Sequence, residues 1–207
     1  MRDYGLSSSN QEEDMRYVVL LLSLLLFPVV LSAKEISIQS MPTTAEEFIA
    51  LRNTLSSTPE GGAAMFMVAL ITYVDNYELG KVFFTIALDQ SALSTGSVYK
   101  GYAPGGSIQY HLDRFKDPRR KRTPYAYIKG TSPDKQYAAS LPYVFSIAQN
   151  KYSVQSDGSI KVYVECTGAS YPRPIRMTKN DKGLWKASEF SSMFLDVQTV
   201  EAQNDDL

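Results

Sequence analysis

The densest collection of chemistry-bearing side chains lies between Lys100 and Lys135, where nine Lys or Arg face three Asp. Its centre reads Asp113-Arg114-Phe115-Lys116-Asp117-Pro118-Arg119-Arg120-Lys121-Arg122-Thr123-Pro124. Four consecutive cations between two prolines define an exposed loop, since neither proline can donate to a helix or a strand ladder. Guanidinium and ammonium groups bind phosphate and carboxylate. Tyr99, Tyr102, Tyr110, Phe115, Tyr125 and Tyr127 stand among them as stacking surfaces. Arg114, Lys116, Arg119, Arg120, Lys121 and Arg122 are therefore the candidate anion-binding patch. The plainer reading of the run is a solvated loop that keeps the surface soluble. The 21 basic and 22 acidic side chains of the whole chain give a formal net charge of -1, so no global field favours nucleic acid. An anionic envelope component or a protein is the partner such a patch implies.

Other chemistries lack their parts. The single His, His111, would be the base of any Ser-His-Asp triad, and Asp113 is near it in sequence. No Gly-x-Ser-x-Gly elbow presents a nucleophile, so His111 reads as structural or exposed. Cys166, the only Cys, falls on the inward side of an alternating strand and reads as a small buried hydrophobe. One Cys excludes a disulfide framework or multi-Cys zinc site, and one His excludes the usual His-pair metal centres. Ser97-Val98-Tyr99-Lys100 and Ser132-Pro133-Asp134-Lys135 match Ser-x-x-Lys without its companion motifs. Glu165 and Glu189 form a carboxylate pair only if the fold brings them together. Gly61-Gly62 lacks the P-loop spacing and a preceding strand, so it reads as a site of close helix packing. No catalytic residue, metal site or cofactor is expected.

The elements that must position these residues are legible from caps and turns. Thr44-Ala45-Glu46-Glu47 is a capping box ahead of a helix with Phe48, Leu51 and Leu55 on one face. Thr58-Pro59-Glu60 opens a second helix, with Thr as cap and Pro at the first helical position. From Ala63 to Val74 that helix is apolar almost all round, which places it at the centre. Asp75-Asn76-Tyr77-Glu78 opens a third, with Leu79, Val82, Phe83, Ile86 and Ala87. In the middle segment, glycines and Pro104 mark turns. Ile108–Leu112 is a strand or short helix, Tyr125–Lys129 alternates like a strand, and Leu141–Ala148 reads as another. Two hairpins follow: Tyr152–Gln155 with Ile160–Cys166 across Asp157-Gly158, and Ile175–Thr178 with Leu184–Phe190 across Asn180–Gly183. Pro172 and Pro174 fit only before or at the start of a strand. Trp185, the only Trp, reads as packing with Leu184 and Phe190.

The N-terminus carries an address. Tyr17–Leu31 is a 15-residue apolar run, short of the roughly 20 residues a spanning helix needs. Val30, Ser32 and Ala33 resemble a cleavage site, so residues 15–32 read as a secretory signal peptide. An uncleaved anchor is the alternative. Residues 1–14 are acid-rich and fit a signal poorly, and a start at Met15 would leave Arg16 as the basic lead. They are read as a non-native or disordered extension. Residues 198–207 read as an acidic disordered tail. Two of the basic and four of the acidic residues lie in 1–32, leaving 19 against 18. The exported portion is thus near neutral, and it is expected in the periplasm or outside the cell.

Four separated stretches carry a resemblance: Thr58-Pro-Glu-Gly-Gly-Ala-Ala; Ile86-Ala-Leu-Asp-Gln-Ser; Tyr127-Ile-Lys-Gly-Thr-Ser-Pro; and Pro172-Arg-Pro-Ile-Arg with Lys182-Gly-Leu-Trp-Lys and Glu189-Phe-Ser-Ser. In this order they resemble a bacterial family of exported proteins defined only as a domain of unknown function. The similarity spans about Met41 to Val197. It implies an envelope protein but no activity and no site residues, and the Arg119–Arg122 run is not among its motifs.

The expected architecture over residues 41–197 is α+β, with three N-terminal helices packed on a mostly antiparallel sheet or small open barrel. A cone-shaped roll like the nuclear-transport-factor superfamily is the alternative topology. The function expected is a non-enzymatic binding or interaction module. A hydrolase with a pocket between helices and sheet and a structural assembly module are the alternatives.

Overall fold

The computed structural model describes Met1 and residues 33–199. The expected signal peptide, the N-terminal extension and most of the acidic tail lie outside them. Among the described residues, four helices and two antiparallel sheets make up an α+β fold.

The main sheet has five strands in the order β1-β4-β5-β6-β7: β1 Lys34–Ile38, β4 Tyr143–Ala148, β5 Ile160–Val164, β6 Arg173–Lys179 and β7 Trp185–Glu189. Every neighbouring pair is antiparallel, and the sheet is open. β2 (Leu93–Tyr99) and β3 (Tyr102–Pro104) form a separate hairpin. Gly158 and Gly183 hold positive φ of 80° and 77° in the two expected turns, as a left-handed turn position requires. Pro174 is the second residue of β6, consistent with a proline near the start of a strand.

The three expected helices form where their caps place them. In α1 (Ala45–Leu55), Thr44 Oγ1 accepts from the Glu47 amide at 3.2 Å. The Glu47 carboxylate reaches back one residue further than a capping box requires, taking the Thr43 amide at 2.7 Å. Thr58 caps α2 (Pro59–Asp75) through the Gly61 amide. Asn76 caps α3 (Tyr77–Ala87) through the Leu79 amide.

Helix α2 lies across the main sheet, with α1 and α3 packed on it. Glu60 to Val74 are buried without interruption, as an all-round apolar helix requires. The glycines permit this contact. A Cβ on Gly62 would lie 2.5 Å from the Trp185 carbonyl oxygen, and one on Gly61 1.8 Å from that of Leu55. The pair is a packing feature, as its sequence context indicates.

Ile108–Leu112, open between strand and short helix in the sequence, resolves as part of helix α4 (Gly106–Asp113). Three elements depart from the sequence pattern. Tyr152–Gln155 forms no strand and meets Ile160 only through an isolated bridge at Val154, because β5 takes its ladder partners from β4 and β6. Tyr125–Lys129 does not form a strand; Thr123–Tyr127 is a 3₁₀ turn. Pro124 sits in its first turn, and Ala126, Tyr127 and Ile128 are buried consecutively, which breaks the two-residue period of a strand. Strand β1 is unannounced by its neighbours because it is short, and only Ile36 and Ile38 are buried.

Candidate functional site

The basic turn faces the segment that follows β7. After Glu189 the chain makes a 3₁₀ turn, Ser191–Phe194, and runs on through Thr199. Phe190 and Phe194 anchor it in the core against Phe66, with ring centroids at 4.8 and 6.4 Å. Arg173, buried on β6, fixes the next residues. Its guanidinium donates to Tyr127 Oη at 2.7 Å, to the Leu195 carbonyl at 2.8 Å and to the Asp196 carbonyl at 2.7 Å. Tyr127 in turn donates to the Met193 carbonyl at 3.0 Å. Burial pushes the Tyr127 hydroxyl pKa well above its ordinary value, against the pull of Arg173, so the group stays a neutral donor. Tyr137 Oη donates to the Gln198 carbonyl, and the Gln198 amide donates to Gly168 at 2.9 Å.

Between this strapped segment and the basic turn opens a cleft of about 470 Å³. Its lining comes from three stretches of chain: Asp117, Arg119, Arg120, Arg122 and Thr123 of the basic turn, Pro133, Gln136 and Tyr137, and Asp196, Val197 and Thr199. The arginines are partly engaged. Arg119 pairs with Asp117 at 2.7 Å, and its hydrogen bonds hold the Asp117 carboxyl down to about 2. Arg120 reaches across to Asp196 at 2.7 Å. Arg122 donates to the Gln136 carbonyl at 2.8 Å and has no carboxylate partner among the described residues. Three guanidiniums against two carboxylates leave the lining with one surplus positive charge.

The six expected patch residues therefore divide. Arg119, Arg120 and Arg122 come together in the cleft. Lys116 and Lys121 turn instead toward Tyr77, with their ammonium groups 5.7 and 5.6 Å from its ring centroid. Lys116 also pairs with Asp113 at 2.7 Å. Arg114, in the 3₁₀ turn Arg114–Lys116, is half-buried and does not line the cleft. The aromatic residues do not form a common platform: Phe115 and Tyr127 are core residues, and Tyr102 and Tyr110 are exposed outside the cleft lining.

The remaining sequence candidates settle quietly. His111 stacks on Phe194 at 5.4 Å and 8°, while Asp113 accepts from Tyr73, Gln109 and Lys116. Cys166 is buried, and burial raises its thiol pKa, so thiolate chemistry is disfavoured. Glu189 pairs with Arg176 at 3.1 Å, and Glu165 is exposed beyond the end of β5. The interface between α2 and the sheet is closed by apolar side chains. Among the described residues, no group of three or more His, Cys, Asp or Glu could hold a metal ion, and no helix is long and apolar enough to cross a membrane.

Two cations that donate to backbone carbonyls carry no motif. Arg173 lies within an alternating strand pattern that gives no sign of its role as a strap. Lys186 on β7 donates to the Leu88 carbonyl at 3.1 Å. Burial, then the nearby Arg52 charge, lowers its pKa to about 8, with Asp89 opposing.

This is an α+β domain with a polar cleft at the edge of a sealed core. The chain belongs to the family described as domain of unknown function (DUF6935), which matches residues 40–201. No curated protein and no solved structure matches it.

Proposed function

We propose that the protein is an exported, non-enzymatic binding module whose cleft holds a phosphate- or carboxylate-bearing component of the cell envelope. The observation that carries this reading is the convergence of Arg119, Arg120 and Arg122 on one concave surface, with Arg122 free of any described carboxylate. A guanidinium fork matches the two oxygens of such a group. The surplus of one positive charge suits a single anionic group better than a uniformly charged surface would. The apolar run of Tyr17–Leu31, followed by small residues, supports export to the periplasm or beyond.

The cleft carboxylates favour binding over catalysis. Asp117 is ion-paired with Arg119, whose hydrogen bonds lower its pKa and keep it ionised rather than poised to exchange a proton, and Asp196 is taken up by Arg120. The test compares Arg119→Ala/Arg122→Ala with Lys116→Ala/Lys121→Ala. Sedimentation with phosphatidylglycerol vesicles, with neutral phosphatidylcholine vesicles as control, is run beside titration with inorganic phosphate. Loss of binding in the arginine pair and retention in the lysine pair is the expected outcome. Equal loss in both would remove the cleft in favour of diffuse surface charge. Binding of phosphate but not of vesicles would exclude a lipid headgroup.

A further inference from the structure

Resting on the reading of the cleft as an anion site, we propose that the Gln136 carboxamide reads a hydroxyl beside the bound anion, so that the ligand is a polyol phosphate rather than bare phosphate. Gln136 and Tyr137 hold φ of 50° and 56°, in the left-handed region that residues of their size seldom adopt. Elsewhere among the described residues, positive φ falls to glycine or to Lys100, which shares the tight turn of the β2–β3 hairpin with Gly101, where that conformation is required. At 136 and 137 glycine would meet the backbone demand at less cost, and strain of this kind concentrates at functional sites. The use of the Tyr137 side chain is visible, since its hydroxyl holds the Gln198 carbonyl. Gln136 offers its main-chain carbonyl to Arg122 at 2.8 Å, which any residue could do. Its carboxamide has no hydrogen-bond partner among the described residues, although the residue is exposed and lines the cleft.

The chemistry of the lining suits this side chain to a hydroxyl. A guanidinium donates and cannot accept. Asp117 and Asp196 accept, but Arg119 and Arg120 engage them, and each carries a charge that repels an anion. The carboxamide supplies an acceptor and a donor without charge. Arg119 and Arg122 keep donors beyond those given to Asp117 and to the Gln136 carbonyl, enough to share the outer oxygens of one phosphate. The cleft volume of about 470 Å³ lies within the range of small-molecule sites, about 300–1,000 Å³. It leaves room beside a phosphate for the carbons that bear hydroxyls. A glycerol-type lipid headgroup and a free or polymer-borne polyol phosphate share this chemistry.

The test titrates the full chain and Gln136→Gly with inorganic phosphate and with glycerol 1-phosphate. Glycine accepts the positive φ and keeps the carbonyl that Arg122 uses, so the variant should fold with an unchanged or higher urea midpoint. The full chain should bind glycerol 1-phosphate about threefold to tenfold more tightly than phosphate, the increment of one net hydrogen bond. Gln136→Gly should lose that preference while its phosphate affinity stays the same. Equal affinity of the full chain for the two anions, or a preference that survives in Gln136→Gly, would overturn the inference while leaving anion binding intact. Binding of neither anion by the full chain would sink the anion reading and this inference together. Sedimentation with phosphatidylglycerol and with phosphatidic acid vesicles then separates the sources. A preference for phosphatidylglycerol that Gln136→Gly abolishes would assign a lipid headgroup. Sedimentation with neither, beside retained binding of glycerol 1-phosphate, would assign a free or polymer-borne polyol phosphate.

Discussion

Helix α2 and the Asp117–Arg122 turn treat polarity in opposite ways. From Glu60 to Val74 the helix is buried at every residue, whereas no residue from Asp117 to Arg122 is buried. In the helix, side-chain size and shape are set by neighbours on all sides. In the turn, each arginine meets a carboxylate or a carbonyl at the surface, where ion pairs contribute little to stability. Substitution in the first region should therefore report on folding, and in the second on binding.

The largest effect separating them belongs to Phe66. It is fully buried and packs its ring against Phe84, Phe190 and Phe194. Phe66→Ala should lower unfolding free energy by about 3–5 kcal/mol in urea denaturation. A loss below about 1 kcal/mol would break the contrast. Arg173 tests the border between the regions. Arg173→Met removes the donors to Leu195 and Asp196 but also removes a buried charge, so the net cost should be about 2 kcal/mol. Its distinctive sign is faster amide exchange at Gln198, which forms one side of the cleft strap.

Lys186 sharpens the contrast through pH. Its folded pKa of about 8 lies below the ordinary value of 10.5. The folded state therefore binds fewer protons than the unfolded chain between these values. The penalty for burying the ammonium is fully present below about pH 8 and is relieved as pH rises toward 10.5. The full shift corresponds to about 3 kcal/mol. Lys186→Met gives up the hydrogen bond to Leu88, so at pH 7 it should stabilise by about 1–2 kcal/mol. The advantage should shrink on denaturation at pH 9.5, and a constant difference would contradict the assignment. The smallest effect on folding is expected from Arg119→Ala, whose urea midpoint should match the parent chain within error while phosphate affinity falls.

Sequence signals were strongest where a local rule had one physical solution. Thr44, Thr58 and Asn76 cap the three helices because each oxygen accepts an otherwise unpaired first-turn amide. Gly158 and Gly183 take the positive φ of their turns. Tyr125–Lys129 misled because alternation over five residues cannot show that Pro124 begins a 3₁₀ turn. The cleft was half legible. Consecutive charge identified Arg119, Arg120 and Arg122, but sequence distance concealed Asp196, 76 residues from Arg120. Adjacent Lys121 carries the same sequence signal, but the fold turns it toward Tyr77. Gln136 and Tyr137 join the cleft lining from a turn with no motif, both at positive φ.

The central claim is that the cleft, and not basic charge in general, receives an anion. Amide chemical shifts of the full chain during titration with inorganic phosphate test it most directly. The account predicts saturable shifts at Arg119, Arg120, Arg122, Thr123, Gln136 and Tyr137, with little change at Lys116 and Tyr77. Shifts centred on Lys116 and Tyr77, or no saturable shift at the cleft, would contradict it.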